Sequence, residues 1–234
     1  MALAHRPGLT ACAAAIWLAG CAPAPGSGQE TAAPGISDET LYALEGDDPA
    51  NEELVSFAVP PEDLITAESI GVARPGSSLG DLRDVIGSSP IRFVERYSTG
   101  LSAVCVDDAA GDELFCAAIP ETAEPNPFSA IVMISTRHPR FRTREGVGPG
   151  IAVEDVEVVY GGAYFVYNEA GERREYVEFD RGPAGSIRFL PLLPSDPMGL
   201  AGVYEESPDG FHETEDYRPG AVIGAVEVHA AARE

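Results

Sequence analysis

Lysine is missing altogether. All 15 basic residues in this 234-residue chain are arginines, set against 38 Asp and Glu, for a formal net charge of −23. Schiff-base chemistry, a phosphate-loop lysine and a Ser-Lys dyad each need an amine, so all three are excluded. Positive charge of any kind is short and no basic stripe gathers it, which works against nucleic-acid binding because acidic surfaces repel phosphate backbones. Cysteine is scarce at four residues, with no CxxC pair, and none of the four histidines belongs to an HExxH or HxH motif. Neither a dithiol redox centre nor a zinc site has its usual spacing, and no cofactor is expected. What the chain does have is 44% hydrophobic residues, 25 Gly and 20 Pro. That is enough apolar material for a core in one domain or two small ones, with many turns.

The most specific signal is N-terminal. His5 and Arg6 precede an apolar stretch from Leu9 to Leu18, followed by Ala19-Gly20-Cys21. A run this short reads as an export signal and not as a span that stays in the membrane. Leu18-Ala19-Gly20-Cys21 resembles the lipobox of bacterial lipoproteins, in which cleavage precedes the cysteine and its thiol receives a diacylglycerol. The resemblance implies a signal peptide over 1–20, lipidation at Cys21 and a membrane tether through N-terminal acyl chains. Position 22 is Ala and not Asp, which in lipoproteins of two-membrane bacteria implies release to the periplasmic face of the outer membrane. Cleavage by the ordinary signal peptidase at the same small-residue site is the alternative.

With Cys12 in the signal and Cys21 acylated, Cys105 and Cys116 remain. In an exported protein such a pair reads as a disulfide. Centring a hairpin turn on Ala110-Gly111 places the two directly opposite each other on adjacent strands. Residues 21–51, rich in Pro, Gly, Ala, Ser and acids, read as a flexible tether whose reach is about 30 Å.

Beyond the tether the chain repeats itself. Pro75 to Gly87 aligns without a gap on Pro149 to Gly161, with five of thirteen positions identical. Leu79, Leu82, Val85 and Ile86 fall at i, i+3, i+6 and i+7, as do Val153, Val156, Val159 and Tyr160, so each copy predicts a short helix that starts after Pro-Gly and stops at Gly. β-branched and aromatic runs separated by turn residues follow each helix, at 91–97, 101–106, 114–119 and 128–135, then at 163–167, 174–179, 187–190 and 221–229. The expected architecture is α+β, a tandem repeat of a short helix followed by an antiparallel β-meander, with repeat 1 over 52–135 and repeat 2 over 136–234. A Pro/Gly-rich, acidic stretch over 180–219 reads as an inserted loop in the second copy. On their apolar and Gly positions the copies weakly resemble the helix-plus-meander units of BamE/SmpA-like lipoproteins and β-lactamase-inhibitor-like proteins, a likeness that bears on fold and not on activity.

Gly76-Ser77-Ser78-Leu79-Gly80 satisfies GxSxG, which makes Ser78 the candidate nucleophile of a periplasmic serine hydrolase. The competing reading is a helix cap, because the second copy keeps its helix with Ala152 at the equivalent position and Ser78-x-x-Asp81 fits a capping pair. His212-Glu213-Thr214-Glu215-Asp216 is the densest metal-ligand cluster and reads foremost as a solvated acidic loop, while the acids of 107–113 lack calcium-loop spacing. Arg140, Arg142 and Arg144 alternate, which on an extended segment turns them to one side, toward an anion, an acidic partner or the protein's own acidic surface. With no complete catalytic set, the functional expectation is a lipid-anchored envelope protein that binds another envelope protein as a non-catalytic scaffold. The alternatives are the Ser78 hydrolase and an anion- or metal-ion-binding protein.

Overall fold

A computed structural model describes residues 59–121, 125–169, 171, 173–183, 185–205 and 210–231. All of these lie in one compact unit, Val55–Glu234. Cys21, the signal segment and the tether fall outside the described residues.

Both helices start the way the Pro-Gly signals predict. Arg74-Pro75-Gly76-Ser77 and Gly148-Pro149-Gly150-Ile151 each close a turn with Pro second and Gly third, Gly76 at φ +87° and Gly150 at φ +89°, the conformation a type II turn asks of its third residue. The chain then enters α1 (Leu79–Ile86) and α2 (Val153–Tyr160). The free N–H groups at each start find backbone carbonyls of a neighbouring segment: Gly76 on Ile131 and Leu79 on Ser129, Gly150 on Ile223 and Val153 on Ala221, at 2.7–3.0 Å. Gly87 and Gly161, both at positive φ, end the helices by donating back to Arg83 and Glu157.

The α+β tandem repeat expected from the sequence is overturned. Among the described residues, strands predominate: a hairpin of β1 (Ile65–Thr66) and β2 (Ser69–Ile70), then β3 (Ile91–Ser98), β4 (Leu101–Asp107), β5 (Glu113–Pro120), β6 (Met133–Thr136), β7 (Ala163–Asn168), β8 (Glu175–Phe179), β9 (Ile187–Leu192), β10 (Phe211–Thr214) and β11 (Val222–His229). Nine of them form one antiparallel sheet in the order β10-β7-β8-β9-β11-β6-β5-β4-β3, in place of two helix-plus-meander modules. β11 pairs with β9 on one side and β6 on the other, and β10 adds outside β7. The likeness of the helix starts is local, whereas strand partnership is settled by distant hydrogen bonding that a 13-residue match does not specify. The 180–219 stretch contributes β9 and β10 to the sheet.

One face of the sheet carries the main core. Val106, Phe115, Ala117, Ile119, Ile134, Phe165, Val177, Phe189, Val226 and Val228 point to it and are buried. Leu82 of α1 and Val153, Val156 and Tyr160 of α2 pack in the same cluster, so both helices cover this face. Each such side chain removed from water contributes about 1.5–3 kcal/mol, the term that holds eight-residue helices too short to persist alone.

Candidate functional site

The opposite face follows from strand alternation. Residues paired across neighbouring strands share a face, and one row runs Val94, Ala103, Ala118, Met133, then, one pleat along, Cys105, Cys116, Ser135, Glu227 and Arg188. Among the described residues no helix packs on it. Its buried apolar part comprises Ala103, Cys105 and Cys116, with Val94 and Tyr97 packed against them, together with Ala118 and Met133. Cys105 and Cys116 are Cα partners with sulfurs 2.00 Å apart, the pairing expected from the turn position. Asp108 shapes that turn, its Oδ1 accepting from the N–H groups of Ala110 (2.8 Å) and Asp112 (2.9 Å). Hydrogen bonds from the backbone, Asp112 foremost, hold the Asp108 carboxyl below its usual range.

The charged centre of the face is Glu227. It stands in the middle of β11 with no solvent exposure, between Val226 and Val228 that point the other way. Arg174, just before β8, brings Nη2 to 2.7 Å from its Oε1, and His229 Nε2 lies 3.1 Å from its Oε2. Burial alone would lower the Arg174 guanidinium, but the neighbouring Glu227 carboxylate, helped by Tyr176 and Tyr97, holds it raised. Next to this pair Tyr97 is pushed up by burial, opposed by a hydrogen bond with Ser135 and by the charge of Arg137. Arg188, the cross-strand partner of Glu227, stacks its guanidinium 5.3 Å above the Tyr176 ring. At one end of the face an open pocket of about 580 Å³ is lined by Arg96, Tyr97, Arg137 and Arg174, with the 98–100 turn and Glu121.

The residues singled out from sequence are placed as follows. Ser78 is the cap of α1: its Oγ accepts from the Asp81 N–H (3.1 Å) and donates to Asp81 Oδ2 (2.7 Å), which also accepts from the Ser78 N–H (2.9 Å). These bonds, the backbone one first, lower the Asp81 carboxyl. None of the three histidines of the folded unit bonds to Ser78: His138 accepts from Arg140 N, His212 meets Glu205 O, and His229 meets Glu227. The alternating arginines do not converge. Arg140 pairs with Asp63; Arg142 is half-buried, lowered by that burial, and donates to the Phe141 carbonyl; Arg144 is exposed. The segment lies beyond the end of β6 and is loop, so a period of two does not set its faces.

Nor does the 212–216 cluster gather. The His212 ring stacks on Tyr167 at 6.0 Å, and Glu213 takes the Tyr164 hydroxyl, which raises that phenol to about 12. Among the described residues, the one trio of metal-ligand groups within mutual reach is Cys105, Glu113 and Cys116, whose two sulfurs are bonded to each other.

Sequence reasoning passed over Glu227, Arg174, Arg96 and Tyr97. One signal for Glu227 was present: a lone carboxylate inside Val222-Ile223-Gly224-Ala225-Val226-Glu227-Val228, an otherwise apolar strand, needs a buried counter-charge somewhere. Nothing local points to Arg174, which is 53 residues away in sequence.

No family model, curated protein or solved structure matches this chain.

Proposed function

We propose that this protein is a lipid-anchored envelope component whose folded unit binds another envelope protein through the helix-free face of the sheet, without performing chemistry. One observation carries this reading: the sheet is covered by both helices on one side, while the other side, braced by the Cys105–Cys116 disulfide and by the Glu227–Arg174 pair, buries its centre and exposes Arg96, Arg137 and Arg188 around it. Stiff, charge-patterned surfaces of this kind select partners through electrostatic fit. The engagement of the Ser78 hydroxyl in the α1 cap supports placing function on this face and not at GxSxG.

The anchor rests on the Leu18–Cys21 motif. Intact-mass analysis of the protein from its native host should show a diacylated Cys21 terminus, and an unmodified terminus overturns the anchored part. For binding, crosslinking in native membranes through a photoreactive residue at position 188 should capture a reproducible partner. A photoreactive residue at position 84 on α1, an exposed site, should not capture it. Capture from position 84 alone, or from neither position, overturns the assignment to this face.

A further inference from the structure

The end of the helix-free face holds a feature at odds with the composition. Acids outnumber arginines 38 to 15 across the chain. Yet Arg96, Arg137 and Arg174 line a single pocket whose only acidic lining residue is Glu121. Arg174, which also lines the pocket, is held by the fully buried Glu227 through one Nη, and its guanidinium has further N–H donors beyond that contact. Among the described residues neither Arg96 nor Arg137 has an ion-pair partner; exposed arginines such as Arg74, Arg83, Arg144 and Arg181 share that state singly, whereas these two line one pocket together with Arg174. The backbone also departs from regular geometry at this point. Arg96 sits at φ +52°, a left-handed conformation that side chains other than Gly, Asn and Asp rarely adopt, and the β3–β4 register breaks between Val94 and Ser98. The break adds residues to β3 relative to its partner and re-aims the side chains of its last turn, which is how bulges place functional groups. Tyr97, carried by the same irregularity, packs on the disulfide and lines the pocket.

Resting on the binding reading above, we propose that this pocket receives a carboxylate from an acidic segment of the partner protein, gripped between Arg96 and Arg137 with Arg174 as the fixed wall. Guanidinium forks match carboxylates with paired, charge-assisted hydrogen bonds, and an uncompensated pair of them inside an acidic protein is complementary to an acid from outside. The surroundings favour a peptide segment over a free small anion. The pocket is open, shares Tyr97 and Arg174 with the helix-free face of the sheet, and is lined by no helix N-terminus.

The test uses the full chain labelled with ¹⁵N-arginine, titrated at low ionic strength with an acetylated, amidated tetraglutamate peptide, the matching tetraglutamine peptide, and inorganic phosphate. The Nε–Hε signals of Arg96, Arg137 and Arg174 should move with the glutamate peptide and not with the glutamine one, ahead of exposed Arg144 and Arg181. In the R96Q/R137Q variant, which leaves the Arg174–Glu227 pair in place, affinity for the glutamate peptide should fall at least tenfold. Equal response at all exposed arginines overturns the proposal, as does unchanged affinity in the variant. Phosphate binding as tightly as the peptide also overturns it, in favour of a small-anion site. The two readings fail separately. If crosslinking from position 188 captures a partner equally in wild type and in R96Q/R137Q, the face binds and the carboxylate pocket falls; if the peptide binds here while position 188 captures nothing, the pocket stands and the partner-binding face falls.

Discussion

Arg174 Nη2 lies 2.7 Å from Oε1 of Glu227, joining the start of β8 to the middle of β11 across the intervening strand β9. Glu227 has no exposure, whereas the Arg174 side chain keeps about a fifth of its own (22%). A buried ion whose partner is removed is left with its desolvation penalty uncompensated. Arg174→Met should therefore destabilise the unit by about 3 kcal/mol. The double variant Arg174→Met/Glu227→Leu should recover most of that loss, since it removes the stranded charge. Urea unfolding followed by far-UV circular dichroism checks both, and a double variant no better than the single one would show that the pair itself is net stabilising.

The disulfide joins residues eleven apart that are already held opposite each other by the β4–β5 ladder. The crosslink thus closes a small loop, and its entropic contribution is at most about 3 kcal/mol. Cys105→Ala/Cys116→Ala should lower the urea midpoint with only a small rise in the unfolding slope, because the released loop is short, and the sheet's far-UV signal should persist in the folded baseline.

The two helix starts differ in one respect that can be corrected. Ser78 and Asp81 form a reciprocal capping box on α1, while Ala152, at an extended φ and ψ of −63° and 141°, leaves α2 without a side-chain cap although Asp155 occupies the position of Asp81. Ser78→Ala should cost about 1 kcal/mol, and Ala152→Ser should gain about 0.5–1 kcal/mol by completing the same box. Thermal midpoints measured by calorimetry should move in opposite directions.

Tyr160 supplies a pH prediction. Burial first, then its hydrogen bond to the Glu145 carboxylate, push its phenol up to about 12, against an opposing bond with Thr143. In the unfolded chain a tyrosine ionises near 10. Above pH ~10 the unfolded state therefore binds fewer protons than the folded one, so stability is complete below that pH and is lost as pH rises toward 12. Tyr164, Tyr204 and Tyr217, each donating to a glutamate, are raised as well and add the same slope. Tyr160→Phe should make the decline in urea midpoint between pH 10 and 12 shallower without abolishing it.

Features governed by near neighbours in the chain were legible in the sequence. The Ser78–Asp81 cap, the Pro-Gly turns, the Gly stops and the Cys105–Cys116 register each involve residues within about a dozen positions, where spacing fixes geometry. Most strand runs were legible too, because β-branched and aromatic alternation marks them. What the chain does not write locally is which strands meet. The β6–β11 and β7–β10 pairings join segments some ninety and fifty residues apart, and they turn the expected pair of α+β modules into one sheet. The arginines show the same limit. Arg140, Arg142 and Arg144 looked grouped because they are close in sequence, whereas the three that share a pocket are Arg96, Arg137 and Arg174, assembled from β3, the loop after β6 and the approach to β8.

The irregularity at Arg96 also bears on solubility. A sheet that is not closed into a barrel ends in two strands with unsatisfied backbone groups, here β10 and the eight-residue β3. A straight exposed strand of that length invites docking by a second chain and growth into fibrils. Only Ile91 to Val94 keep a regular ladder before the chain twists out of line. The outer rim of the molecule is therefore cut to about four residues, too short a template for another copy to zip onto.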